Sequence, residues 1–114
     1  MLPVYQSFNG TTVTLGPQTP ISIDFLKAPI NVTVAVWITT AATYNVEFTL
    51  DDVSDPLLPP DMVPRWFPDD NLGMAQTISQ TTLITYPCRF IRVNIQALSG
   101  TLEFKVMQAL SSSA

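Results

Sequence analysis

Apolar and polar residues alternate one for one through several stretches of this chain. That period of two restricts it to β-strands with one buried face. From Thr43 to Leu50, the residues Tyr44, Val46, Phe48 and Leu50 fall on one side, and Thr43, Asn45, Glu47 and Thr49 on the other. From Phe90 to Ala97, the expected inward set is Ile91, Val93, Ile95 and Ala97, with Arg92, Asn94 and Gln96 outward. Thr101 to Gln108 follows, with Leu102, Phe104 and Val106 inward against Glu103, Lys105 and Met107. Between these last two runs, Ser99-Gly100 predicts a short turn and an antiparallel hairpin.

Weaker signals fill in the remainder. Thr11 to Leu15 places Val13 and Leu15 on one face, Gly16-Pro17 predicts a turn, and Ile21, Ile23 and Phe25 alternate with Ser22 and Asp24. Asn31 to Thr39 is largely β-branched. Val32, Val34, Val36 and Ile38 share one side, and Thr33, Ala35 and Trp37 on the other suggest a strand covered on both faces. Ala41-Ala42 bridges to the next strand. Further strands are expected within Met74 to Ser79 and around Thr82 to Thr85. Leu72 to Gln80 alone invites a helix, and it lacks the flanking cap and stop. The fold expected is all-β: an antiparallel two-sheet β-sandwich, jelly-roll-like, of about seven or eight strands with little or no helix. At 114 residues a single domain over 1–114 is expected, with a flexible tail at 111–114.

Residues 53–71 interrupt the pattern. They hold Pro56, Pro59, Pro60, Pro64 and Pro68, half of the chain's 10 prolines, so no central strand passes through them. They also hold Leu57, Leu58, Met62, Val63, Trp66 and Phe67, too apolar for a solvated linker. A stiff apolar loop loses little entropy on docking. Two readings follow: an arm or edge cover that contacts a partner, or a plug in which Trp66 and Phe67 close the open end of the sandwich. The candidate interface residues are Leu57, Leu58, Pro59, Pro60, Met62, Arg65, Trp66 and Phe67.

Composition narrows the function classes. Charged residues make up 12% of the chain, about half the usual share. The outward positions are therefore mostly Thr, Ser, Asn and Gln, which desolvate cheaply against a neighbour. The net charge is −4, and Lys27, Arg65, Arg89, Arg92 and Lys105 are scattered, so nucleic acid is not an expected partner. The chain has no histidine, which removes the commonest general base and metal ligand. Neither a serine triad nor a Cys–His pair at Cys88 can be assembled. Cys88 is expected to be a small buried residue. Gly10, Gly16, Gly73 and Gly100 stand apart, without a phosphate-cradling loop. Asp51, Asp52, Asp55, Asp61, Asp69 and Asp70 gather acidic groups but lack the Asp-x-Asp-x-Asp-Gly spacing of a calcium loop. No catalysis, cofactor or metal is expected. No apolar run reaches the roughly 18 to 20 residues of a membrane helix. With no leader-like start, synthesis in a cytoplasm without export and no membrane partner are expected.

Three segments carry a resemblance. They are Ala42-Thr43-Tyr44-Asn45-Val46-Glu47-Phe48-Thr49-Leu50-Asp51-Asp52-Val53, the Trp66-Phe67-Pro68 patch, and Cys88-Arg89-Phe90-Ile91-Arg92-Val93-Asn94-Ile95 followed by Ser99-Gly100-Thr101-Leu102. Across most of residues 30–108 they resemble small virion proteins of tailed bacteriophages, in particular capsid decoration (cement) proteins. The resemblance implies a jelly-roll-like structural protein seated on the capsid exterior. Its partners would be the major capsid protein and itself, as a dimer or trimer. An alternative is a tail or receptor-binding accessory module of such a virion. It would offer a shallow aromatic groove for a host glycan, drawn from Trp37, Trp66, Tyr5, Tyr44 and Tyr86. Two others are a carboxylate hydrolase and a free-standing binding sandwich of cellular origin.

Overall fold

A computed structural model describes residues 4–23, 31–51 and 65–108. Among these residues there is no helix; nine strands form two antiparallel sheets. The first sheet contains β1 (Val4–Asn9), β4 (Val32–Ile38), β7 (Gln80–Ile84) and β9 (Thr101–Gln108), in the order β1-β9-β4-β7. The second contains β2 (Gly16–Pro17), β3 (Ile21–Ser22), β5 (Ala41–Thr49), β6 (Trp66–Pro68) and β8 (Phe90–Ser99). Its order is β2-β8-β5-β6, with β3 also on β8, so β2 and β3 are two pieces of one edge strand.

The pairings follow one rule. Residues 32–49 run antiparallel to 90–108 along their whole length, from Val32↔Gln108 through Ile38↔Leu102 and Ala41↔Ser99 to Thr49↔Phe90. Residues 4–22 line the far side of 90–108, and residues 66–84 line the far side of 32–49. Each of these four segments gives one strand to each sheet. The result is a four-stranded ribbon folded across its middle, which is the connectivity of a jelly roll.

The fold line explains why the expected hairpin does not form. β8 and β9 lie in different sheets, so Ser99-Gly100 is a corner and not a hairpin turn. Gly100 takes φ +90°, and a Cβ there would press on the hydroxyls of Thr39 and Thr40. Neighbouring segments bend with it. The Gly10 N–H donates to the Gly100 carbonyl (2.8 Å) and the Thr39 N–H to the Thr101 carbonyl (3.1 Å), while the Thr101 N–H reaches Thr39 Oγ1 (2.9 Å). The corner residues are thus satisfied by one another.

The core fills the space between the sheets. Val32, Val34 and Val36, with Leu102, Phe104 and Val106 on the neighbouring strand, face Tyr44, Val46, Ile91, Val93 and Ile95 of the other sheet, all buried. Each large member contributes roughly 1.5–3 kcal/mol over leaving it exposed. The alternation placed these residues correctly and failed at two others. Ala97 is exposed because Gln96 is an extra residue in β8: Thr43 pairs with Ala97 but Tyr44 with Ile95. This bulge flips the parity, and Leu98 packs on the core in place of Ala97. Leu50 is 59% exposed because β5 ends at Thr49, which is itself buried.

Further expectations are revised near the edges. Thr11 to Leu15 is turn and coil, with Val13 against the core and Leu15 exposed, and Gly16-Pro17 is strand, not turn. Ala41 and Ala42 belong to β5. Residues 74–79 contribute only the Tyr44↔Gln76 bridge, and the next strand starts at Gln80. β4 is central, as expected, but its second face is open, with Trp37 60% exposed. Phe25 and the 111–114 tail lie outside the described residues.

Candidate functional site

Of the expected interface, Arg65, Trp66 and Phe67 are described; Leu57, Leu58, Pro59, Pro60 and Met62 lie outside the described residues. Residues 66–68 are not loop. They form β6 on the edge of the five-stranded sheet, through Glu47↔Pro68, Phe48↔Phe67 and Thr49↔Trp66. An edge strand accepts Pro68, because its missing N–H leaves no interior ladder broken.

Successive side chains of β6 take opposite sides. Phe67 meets Phe48 (ring centroids 5.9 Å apart), which packs in turn on Tyr86 (4.6 Å), and Phe67 stays 49% exposed. Trp66 receives the Arg92 guanidinium over its ring at 3.9 Å, and Arg92 Nε donates to Glu47 Oε1 at 2.8 Å. The Arg65 N–H donates to Asp51 Oδ2 (2.8 Å) and leaves its side chain exposed. Phe67 thus packs on Phe48 at the edge of the core, while Trp66 lies on the outer side with a cation above it.

A turn that sequence reasoning missed holds this edge. Asp69 is buried, and its Oδ2 accepts the N–H groups of Asn71 (3.0 Å) and Leu72 (2.9 Å). Its Oδ1 accepts the Tyr86 hydroxyl at 2.6 Å. The turn then bonds the free side of β5: Asp69 N–H to Val46 O (3.0 Å), Val46 N–H to Leu72 O (2.8 Å), and Tyr44 and Gln76 mutually. Asp69 thus serves the turn. Asp51 and Asp70 are also described, whereas Asp52, Asp55 and Asp61 are outside the described residues. Burial, the Asp69 hydrogen bond and nearby negative charge push the Tyr86 phenol upward. Cys88 is buried as expected, and its thiol is pushed up to about 11, first by burial and then by Asp69.

The opposite outer face, on the four-stranded sheet, is a second candidate. Three rows cross it: Ser7–Glu103–Trp37, then Tyr5–Lys105–Ala35–Thr81, then Met107–Thr33–Leu83. Tyr5, Trp37, Leu83 and Met107 are all at least half exposed. Lys105 Nζ stands 5.3 Å from the Tyr5 ring centre. Small residues leave two adjoining shallow grooves, of about 570 Å³ beside Trp37 and about 620 Å³ beside Tyr5 and Met107. Of the five aromatic residues considered for a glycan groove, Tyr5 and Trp37 share this face. Tyr44 is buried and donates to the Ile78 carbonyl (2.7 Å), and Tyr86 and Trp66 belong to the other edge.

Fold and faces together define a jelly-roll β-sandwich with aromatic side chains at the β6 edge and on the outer face of the four-stranded sheet. No protein-family model matches the chain, and no curated protein or solved structure matches it.

Proposed function

We propose that this protein is a structural component of a tailed-bacteriophage virion: a capsid decoration, or cement, protein that binds the outside of the major capsid protein shell and is no enzyme. The observation that carries the reading is the Arg65-Trp66-Phe67 edge, where a proline-stiffened apolar segment joins the sheet and leaves Phe67 and Arg65 open. Tryptophan and arginine are the residue types that most often anchor protein interfaces. The resemblance of residues 42–53, 66–68 and 88–102 to cement proteins points the same way, and jelly rolls recur in viral capsids.

Such a protein works by mass action. Binding the assembled shell and not its separated subunits shifts the balance away from disassembly. One contact is modest, but repetition over a lattice multiplies it. The residues outside the description, Leu57 to Met62, would extend the same contact.

The test is the double variant Trp66→Ala/Phe67→Ala, mixed with shells assembled from the major capsid protein of the same virion. The fold should persist by circular dichroism, and shell binding should weaken about tenfold or more. Undiminished decoration would remove this edge from the contact. Absence of the protein from mature particles would remove the role altogether.

A further inference from the structure

We infer that the outer face of the four-stranded sheet is a self-association surface, on which two copies of this chain pack face to face about a two-fold axis. The inference goes beyond the capsid reading and does not rest on it, since it concerns the purified protein alone.

The argument starts from the rows. Strands β1, β9 and β4 present outward Ser7, Glu103 and Trp37 at one level, and Tyr5, Lys105 and Ala35 at the next. Consider an axis in the plane between two copies, at right angles to the strands and level with Phe104 and Val36. It keeps each strand over its own counterpart and exchanges the two rows. Glu103 then meets Lys105 of the second copy, Trp37 stands over Ala35, and Tyr5 stands over Ser7. One level further out, Met107 meets Thr101, the residue paired with Asn9. Opposite charges meet, and each large side chain meets a small one.

Other placements lose this match. An axis through the level of Glu103, or of Lys105, sets like charge on like. Among axes at right angles to the strands, the intermediate level is complementary in both charge and size, which is what an isologous interface requires. The groove of about 570 Å³ beside Trp37, floored by Ala35, has room for the indole of the second copy.

Area supports the same occupant. Four strands about 4.8 Å apart and roughly 23 Å long present on the order of 400 Å² in projection, and more as accessible surface. Two such faces reach about the 1,000 Å² expected of a specific interface. Aligned sheets pack near −30°, so the fit is closest at the central strands β9 and β4, where Glu103, Lys105, Ala35 and Trp37 lie.

Sedimentation equilibrium of the purified chain tests this. The wild type should dimerise, and Trp37→Ala should weaken the dimer about tenfold or more. Glu103→Lys and Lys105→Glu should each weaken it, because each sets like charges together. An equimolar mixture of these two variants should form a heterodimer, and the double exchange should restore self-association. Glu103→Gln and Lys105→Gln provide milder versions should either reversal impair folding. A wild type monomeric up to concentrations of order 1 mM, charge variants that dimerise as well as wild type, or no recovery on mixing would overturn the assignment. So would a monomer that binds oligosaccharide through Trp37.

Discussion

At the scale of single residues, buried protons set the alkaline limit of this protein. Cys88 is pushed up from 9.0 to about 11, and Tyr44 from 10.0 to about 12, the latter by burial alone. Tyr86 moves the same way. In each case the folded state keeps a proton that the unfolded chain releases at lower pH. The stability these groups contribute is therefore whole below about pH 9 and is lost as pH rises through the folded values. Urea midpoints should be flat from neutrality to about pH 9 and then fall, with the Cys88 part spent between about 9 and 11. Cys88→Ala should flatten that interval in particular. A midpoint that kept rising above pH 10 would contradict the burial of these groups.

At the scale of elements, the turn at residues 69–73 is the least replaceable piece. A Cβ at Gly73 would land on the Asp69 carbonyl and on Pro68, so Gly73→Ala must displace the turn. We expect a loss of roughly 1–3 kcal/mol in denaturant unfolding. Faster amide exchange should appear first at Val46 and Tyr44, whose N–H groups bond Leu72 and Gln76 across that edge. Unchanged exchange there would mean that the turn does not hold β5. Much at this scale was legible in the chain. Val32, Val34, Val36, Ile91, Val93, Ile95, Leu102, Phe104 and Val106 were all placed inward by alternation alone, since no bulge or strand end falls among the residues of each run. The failures share one cause. Alternation tells which way a side chain points, but not which strand lies beside it. Ser99-Gly100 looks the same whether its flanking strands pair or part at a corner, and the extra Gln96 shows only against its partner strand. The sites follow suit. Arg65, Trp66 and Phe67 were candidates on composition alone. The Trp37 face did not, because setting Trp37 beside Glu103 and Tyr5 beside Lys105 requires registers spanning most of the chain.

At the scale of the whole molecule, the folded ribbon turns one chain into two independent outer surfaces, with the core between them. Trp66 lies on one, with Phe67 at its edge, and Trp37 on the other, so variants in the two sets should act additively, as distant sites do. The same ribbon also brings the start of β1 beside the end of β9, Val4 opposite Val106. Tension applied through these two points would peel the ladder open one bond at a time, whereas tension between Val4 and Thr101 would load all its bonds together. Single-molecule pulling should find the first direction soft and the second resistant; equal rupture forces would contradict this pairing. A protein built this way yields or holds according to where it is gripped.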